Sequence, residues 1–328
     1  MIISDLVEIS ASRSSSRLAQ GYLICLIATT LWSTTGVLIR YLTENYQLPS
    51  LVLAFWRDLF VALVLATVIG LVSPARLKAD RKHIPFFILY GFILAVFNSM
   101  WTFSVALNGA AVSTVLAYGS AAFTALLGWK FLRESLGPVK IIAVILSLTG
   151  CALVSGAYDP AAWRVNPWGI FMGLISGLLF ACYSMMGKAS ANRDIFPWTA
   201  MVYSFAAAAG FILIFNLVSA IGTGTRLLPH LFWLGTSVAG WGVLFLLAAG
   251  PTIGGFGLYT VSLGYLPASV ANLIATLEPA MTAILAYFFL GEQLSGAQLA
   301  GGGLILSGVV LLRVLEERVH KEEPIGAV

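Results

Sequence analysis

Two stretches of this chain repeat each other. Residues 101–154 read WTFSVALNGAAVSTVLAYGSAAFTALLGWKFLRESLGPVKIIAVILSLTGCALV, and residues 259–312 read YTVSLGYLPASVANLIATLEPAMTAILAYFFLGEQLSGAQLAGGGLILSGVVLL. They align without a gap at a constant offset of 158, and 17 of the 54 positions are identical, Glu134/Glu292 and Gly150/Gly308 among them. Since the repeated unit is almost wholly apolar, each copy is expected to cross a membrane, and the chain is an internal duplication.

The composition favours a membrane protein over a soluble one. Of the 328 residues 59% are hydrophobic and only 10% are charged, whereas a soluble domain has about 25% charged residues. The chain is basic, with a pI near 9.0, but its Lys and Arg residues are scattered in short clusters between apolar runs. That pattern is typical of loops that orient helices, so no nucleic-acid partner is expected.

Ten apolar runs have about the 20 residues that a helix needs to span a bilayer. The stretch 221–239, which contains LLPHLFWLG, fits no run and is left as an interfacial segment or a helix extension. The ten predicted crossings are 20–42, 50–72, 84–107, 110–132, 138–156, 167–188, 196–220, 240–264, 268–290 and 295–315.

The loop charges predict the orientation of these crossings. If the N-terminus is inside, fourteen Lys and Arg residues fall inside and only Arg40, Arg164 and Arg226 fall outside, with Arg57 within a helix. By the positive-inside rule both termini are then cytoplasmic and the protein is a multi-pass protein of the cell membrane. Tails are predicted at 1–19 and 316–328.

The predicted fold class is all-α, with ten transmembrane helices arranged as two five-helix repeats, residues 20–156 and 167–315. Because five is an odd number, the second copy is inverted relative to the first. Inverted repeats place a solute pathway at their interface and favour alternating access, so a pore or transporter is indicated. No Walker-type phosphate-binding motif occurs, so energy would come from a gradient.

Several motifs resemble those of the drug/metabolite transporter superfamily, in its EamA-like branch. They are LWSTTGVLIR (31–40), FWRDLF (55–60), the stretch 259–295 and LAGGGLILSGVVLL (299–312). Three departures stand out. They are Asp58 beside Arg57, Gly119–Ser120–Ala121 where the second repeat has Leu277–Glu278–Pro279, and an eighth helix interrupted by Gly250–Pro251 and Gly254–Gly255. The resemblance implies ten helices around a central cavity and transport of small metabolites, often the export of amino acids or related compounds.

Arg57, Asp58 and Glu278 lie away from the ends of predicted crossings, where a charge costs at least about 2.5–3.5 kcal/mol and is functional by default. Glu278 falls eleven residues into the predicted helix 268–290, next to Pro279, where it could bind an amino group or carry a coupling proton. Arg57 could bind a carboxylate through paired hydrogen bonds. The alternative for Arg57 and Asp58 is a structural ion pair, and for Glu278 a hydrogen bond to a neighbouring helix.

Neutral polar and aromatic residues within the crossings complete the candidate site. Interhelical hydrogen bonding and interface anchoring are the alternative roles for these residues. The predicted substrate-binding residues are Trp32, Thr35, Asn98, Trp101, Tyr118, Phe180, Tyr183, Tyr259, Asn272, Thr276 and Glu278.

The pattern favours a secondary transporter of small organic solutes over other classes. An intramembrane enzyme would need a nucleophile with a base or a metal cluster, and His83, His230 and His320 all lie at helix ends or in tails. No catalytic residue, cofactor or metal is therefore expected. Export of drugs or nucleosides and a non-transporting sensor or scaffold remain alternatives; the expected partners are a small-molecule substrate and the lipid bilayer, with homodimerisation left open.

Overall fold

The computed structural model describes residues 2–160, 166–224, 226–290 and 295–322, and within them all regular structure is helical. Six segments are long and apolar enough, by length and composition, to cross a membrane, and 138–154 and 296–312 are shorter apolar helices. The protein is therefore an all-α membrane protein with several crossings. The six segments are Ser50–Val72, Arg81–Ser104, Val115–Leu132, Pro167–Ala191, Pro197–Thr223 and Val238–Ser262.

Fifteen α-helices follow one another along the described residues. A short 3₁₀ turn at Arg81–His83 precedes the fifth helix, and a π-helical turn at Ala248–Thr252 joins the eleventh to the twelfth. The helices are α1 (Ile2–Trp32), α2 (Thr35–Tyr46), α3 (Ser50–Val72), α4 (Pro74–Leu77), α5 (Ile84–Tyr118), α6 (Ser120–Leu132), α7 (Pro138–Val154), α8 (Pro167–Ala191), α9 (Pro197–Thr223), α10 (Leu227–Leu231), α11 (Val238–Leu247), α12 (Ile253–Ser262), α13 (Ala268–Ala275), α14 (Glu278–Leu290) and α15 (Gly296–Glu322).

Some predicted crossings are continuous helices and others are broken near their middle. α3, α7, α8 and α9 follow the predicted runs closely. The first crossing is interrupted at Ser33–Thr34, where both hydroxyl groups donate to carbonyls three residues earlier, at 2.6 and 2.7 Å. Such side-chain bonds compete with the helical ladder, which explains a break that hydropathy alone does not predict.

The connection predicted at Asn108–Gly109 lies within α5, which is helical from Ile84 to Tyr118. Even so, the hydroxyl oxygens of Ser104 and Ser113 are 2.8 Å apart, whereas nine residues of straight helix advance by about 13–14 Å. The chain therefore turns back on itself between these two serines. The preceding and following parts of α5 then run side by side along α8, which Gly173 brings close to both Leu116 and Ser104.

Within the unassigned stretch 221–239, residues 221–223 end α9 and residues 238–239 begin α11. Between them α10 and the turn that follows it pack against α3. Trp56 of α3 donates through its indole nitrogen to the carbonyl of Leu231 at 2.7 Å, and its ring lies 4.9 Å from that of Trp241. Trp233 donates to the carbonyl of Tyr46, at the end of α2. The segment therefore covers one end of the helix bundle, and is not a further crossing.

Candidate functional site

A cavity of about 810 Å³, its open mouth included, lies among the broken helices. Its walls come from the ends of α1 and α13, the starts of α2 and α14, and the middle of α3, α5, α8 and α12. The lining residues are Trp32, Thr35, Ile39, Arg57, Phe97, Asn98, Trp101, Ala117, Tyr118, Phe180, Thr252, Phe256, Ala275 and Glu278.

The cavity has a mouth toward one end of the molecule. A second space of about 680 Å³ shares Arg57, Asn98 and Trp101 with the first and extends to Thr43 and Ser50. Since α2 ends and α3 begins there, we call this end the Ser50 end. Arg57 stands where the two spaces meet, so a solute entering from the Ser50 end passes its guanidinium group.

Arg57 is held in place by a buried carboxylate behind it. Its Nε donates to Asp58 Oδ1 at 3.2 Å, and the Asn98 side-chain amide donates to Asp58 Oδ2, also at 3.2 Å. Asp58 is wholly buried, whereas the Arg57 side chain keeps 10% of its surface exposed. The predicted Arg57–Asp58 contact is thus present, and it leaves the cationic group of Arg57 on the cavity wall.

Glu278 does not lie within a continuous helix, as the sequence predicted, but is the first residue of α14. The chain leaves helical geometry at Thr276 and Leu277, whose amides donate to carbonyls three residues earlier. Pro279 has no amide hydrogen to offer the carbonyl of Ala275, which explains the break. The interruption places the Glu278 carboxylate on the cavity wall, where Tyr118 donates to Oε2 at 2.5 Å.

Aromatic rings form the apolar wall of the cavity. Trp32 packs edge-on against Phe256, with ring centroids 4.9 Å apart, and Phe97 stacks on Phe180 at 5.3 Å. Trp32 lies so close to α12 that a Cβ on Gly255 would come within 2.3 Å of its ring. A planar or apolar side chain of a solute fits such a wall.

Four predicted site residues lie outside this lining. Tyr183, Tyr259, Asn272 and Thr276 are wholly buried. Tyr259 and Ser184 share a hydrogen bond of 2.7 Å; the Asn272 amide donates to Ser184 at 3.2 Å and its oxygen accepts from Ser120 at 2.9 Å. Tyr259, Ser184, Asn272 and Ser120 therefore form a polar cluster between the cavity and the other end of the molecule. The Thr276 hydroxyl instead donates to the carbonyl of Leu273.

The sequence analysis did not select several lining residues, yet the repeat contains a signal for two of them. Ala117 and Ala275 are an identical pair at the offset of 158. Thr252 and Ile39 have no such signal, because the π-helical turn and the break after α1 decide where they point.

The lining of the cavity offers charged and aromatic groups to a solute. Among the described residues no cluster of three His, Cys, Asp or Glu residues could hold a metal ion. A cation, a carboxylate and an aromatic wall can hold the two charged groups and the side chain of a small zwitterion.

Comparison with protein families gives a match over most of the chain. The sequence profile of the EamA-like transporter family matches residues 19–156 and again residues 167–314. Each match covers one copy of the duplicated unit together with the helices before it.

Curated relatives at low identity have transporter names. An uncharacterised transporter of Bacillus subtilis (YwfM) is 29% identical over 274 residues, 83% of this chain and 86% of that protein. The threonine/homoserine exporter RhtA of Salmonella typhimurium is 26% identical, covering 72% and 73%. The S-adenosylmethionine uptake transporter of Rickettsia bellii is 23% identical, covering 83% and 84%.

A solved crystal structure has the same fold. It superposes with a TM-score of 0.71 over 92% of this chain and 99% of that chain, at 17% sequence identity. At that identity the likeness concerns the arrangement of helices and not the solute.

Proposed function

The chain belongs to the EamA-like transporter family, and from this premise we propose that it exports small zwitterionic metabolites, amino acids or their close relatives, by alternating access. The observation that carries the proposal is the pair Arg57 and Glu278 on the wall of one aromatic cavity. A guanidinium group suits a carboxylate and a carboxylate suits an ammonium group.

The proposed architecture is ten crossings in two inverted repeats, residues 20–156 and 167–315. The family match in two parts supports this division. The turn between Ser104 and Ser113 supports two crossings within α5, and the breaks before Ser120 and Glu278 fall at equivalent positions of the two copies. Rocking of one repeat against the other would move the opening of the cavity from one end to the other.

The proposed location is the cell membrane, with both termini in the cytoplasm and the Ser50 end outside. The excess of Lys and Arg in the loops of the other end supports this orientation. The structure is then the outward-open state, in which an exporter releases its solute. The name of the threonine/homoserine exporter relative supports export.

Proton coupling through Glu278 is the proposed energy source. Glu278 has one hydrogen-bond donor, Tyr118, and no cationic partner among the described contacts. Either the ammonium group of a solute or a proton could neutralise the Glu278 carboxylate. If only one of them can bind at a time, solute and protons are transported in opposite directions.

S-adenosylmethionine or another nucleoside-bearing amino acid is the second candidate solute. The named uptake transporter supports this class, since the molecule combines an amino-acid group with a purine that can stack on Phe97 and Phe180. Drugs of similar shape and free nucleosides are further alternatives, but they lack the paired amino and carboxylate groups that Glu278 and Arg57 would bind. A sensor or scaffold would transport no solute.

The test is efflux from proteoliposomes that contain the purified protein and are preloaded with pooled amino acids, nucleosides and S-adenosylmethionine. Wild type is compared with Glu278→Gln, with and without an imposed pH gradient. We expect selective efflux of amino acids, accelerated by the gradient in wild type, and slow, gradient-independent efflux in the variant. Glu44→Gln, the same change at an exposed position, is the matched control.

Other results would redirect the proposal. Efflux of nucleosides without amino acids would reject the zwitterion site, and unchanged efflux in Glu278→Gln would make that residue structural. Absence of flux for every solute would favour the sensor or scaffold alternative.

A further inference from the structure

The end opposite the mouth is closed by a buried carboxylate that caps a helix. Glu134, just after α6, accepts hydrogen bonds from the backbone amides of Ala268 at 2.7 Å and Ser269 at 3.2 Å. It also accepts from the Ser269 hydroxyl. These amides begin α13, where a negative charge is favoured by the unpaired amides of the helix start. We call this the Glu134 end.

A lysine completes this contact. Lys140 in the first turn of α7 donates to the Ser269 hydroxyl at 2.9 Å, and its Nζ lies 4.0 Å from Glu134 Oε2. The side chains of Lys140 and Glu134 are only 6% and 8% exposed. Glu134, Lys140 and Ser269, with the start of α13, are called the lock below.

A second lysine, Lys188, binds the turn that precedes α13. Lys188 of α8 donates to the carbonyls of Leu263 and Leu266, at 2.9 and 3.0 Å, in the turn that leads into α13. Lys188 therefore binds backbone carbonyls and does not simply extend toward solvent. Its contacts lie within the second repeat, whereas the lock joins the first repeat to the second.

The Glu134 carboxylate packs closely against α6. Gly128 of α6 faces Glu134 so closely that a Cβ would lie 2.7 Å from Oε2. Arg133 adopts a left-handed backbone with φ of 57°, and the Glu134 amide then donates to the carbonyl of Gly128. This turn directs the carboxylate across to α13.

The two repeats differ at the lysine. At the offset of 158 Glu134 aligns with Glu292, but Lys140 aligns with Gln298. A buried carboxylate retains its charge at lower cost when a cation stands beside it. Only the first repeat supplies that cation.

We propose that the lock holds the Glu134 end closed, and that Lys140, which the second repeat lacks, biases the protein toward the state open at the Ser50 end. The inference rests on the alternating access proposed above. Lys140 and Glu134 contact no solute in this state; they are positioning residues that set which end is open.

The experiment measures access from each end with repeat-matched cysteines and no substrate. Thr102 lines the mouth at the Ser50 end; its identical counterpart, Thr260, is 2% exposed on the side of the Glu134 end. Each is replaced by Cys in a Cys182→Ala background and labelled with a hydrophilic maleimide in detergent, with labelled sites identified by peptide mass spectrometry. Buried Cys25 and Cys151 stay in place as reporters of unfolding.

We expect fast labelling at Thr102→Cys and slow labelling at Thr260→Cys in the otherwise unchanged protein. Lys140→Gln, which copies the second repeat, should speed labelling at Thr260→Cys about tenfold, as loss of a charged hydrogen bond shifts a two-state equilibrium, and slow it at Thr102→Cys. Gly128→Ala should act likewise, because it displaces Glu134 without altering any charge.

Lys78→Gln is the control, since it removes the same charge from an exposed loop. The proposal is overturned if Thr260→Cys labels at the unchanged rate in both lock variants. It is equally overturned if labelling becomes faster at both reporter cysteines and at Cys25 together, because that result would mean that the whole protein is partly unfolded. Since no solute is present, either outcome is independent of whether amino acids are transported.

Discussion

Glu278 and Tyr118 meet across the two copies of the repeat, one at the start of α14 and the other at the end of α5. Tyr118 aligns with Thr276, and Ser120 aligns with Glu278, so the duplicated positions have diverged into a donor and a carboxylate. This divergence makes the cavity chemically asymmetric although its walls are built from equivalent helices.

Removing the Tyr118 hydroxyl tests this contact. We expect Tyr118→Phe to remain folded and to raise the half-saturating concentration of a zwitterionic solute about tenfold, the ordinary effect of losing a hydrogen bond to a charged group. The measurement is the concentration dependence of efflux from proteoliposomes. Tyr158→Phe, at a residue 56% exposed, should match wild type; an unchanged value in Tyr118→Phe would contradict a role in binding.

Single residues were predictable where a physical cost marked them. Charge in a hydrocarbon environment singled out Arg57 and Glu278, and both lie on the cavity wall. Polar character alone did not separate Asn98, on that wall, from Asn272, which is buried in the polar cluster. That distinction depends on which end of the molecule is closed, a property of the conformation that residue type does not encode.

At the scale of helices, close packing of α7 and α15 depends on glycine. A Cβ on Gly150 would lie 2.5 Å from the carbonyl oxygen of Gly301, and a Cβ on Gly301 would lie 2.7 Å from that of Gly150. Gly173 and Gly177 of α8 lie equally close to Leu116 of α5, whereas Gly303 faces open space. Small residues at such contacts let two backbones approach within a membrane.

Two substitutions on α15, one at Gly301 and one at Gly303, distinguish the effect of the Gly150–Gly301 contact on stability from the effect of replacing a glycine within a helix. We expect Gly301→Leu to lower thermal stability, because overpacking costs about 1–3 kcal/mol, and Gly303→Leu to leave stability unchanged or raise it. The measurement is the melting temperature of both variants in the same detergent. Equal losses in the two variants would show that the Gly150–Gly301 contact does not limit stability.

Helix existence was easier to predict than helix continuity. Apolar length identified α3 to the residue and the ends of α8 and α9 to within three residues. Hydropathy did not predict the break at Ser33–Thr34, whereas Gly250–Pro251 indicated the interruption that the π-helical turn at Ala248–Thr252 forms. The first arises from hydroxyl bonds to the backbone, and the second surrounds Pro251.

For the whole molecule, the orientation in the membrane follows from loop charge and can be measured directly. In intact cells we expect an impermeant maleimide to label Ser50→Cys, and to label Lys78→Cys only after permeabilisation. Both residues are exposed and lie at opposite ends of α3 and its following loop. The reverse pattern would invert the proposed topology and, with it, the assignment of this state as outward-open.

The duplication predicted a membrane protein with several crossings, and the described residues contain six segments long and apolar enough to cross. The ten-crossing arrangement in two inverted repeats stays a prediction. The sequence did not indicate which of two equivalent positions is accessible: Thr102 lines the mouth at the Ser50 end, whereas the identical Thr260 is buried.

The position of Arg57 at the junction of cavity and mouth also determines which inhibitors could reach it. A compound too polar to diffuse through lipid reaches this guanidinium group from the compartment that the Ser50 end faces. An anionic, membrane-impermeant molecule seated there would obstruct the passage and keep the opposite end shut. Blockers of this protein could therefore be selected for poor membrane permeability, which is ordinarily a defect in a drug.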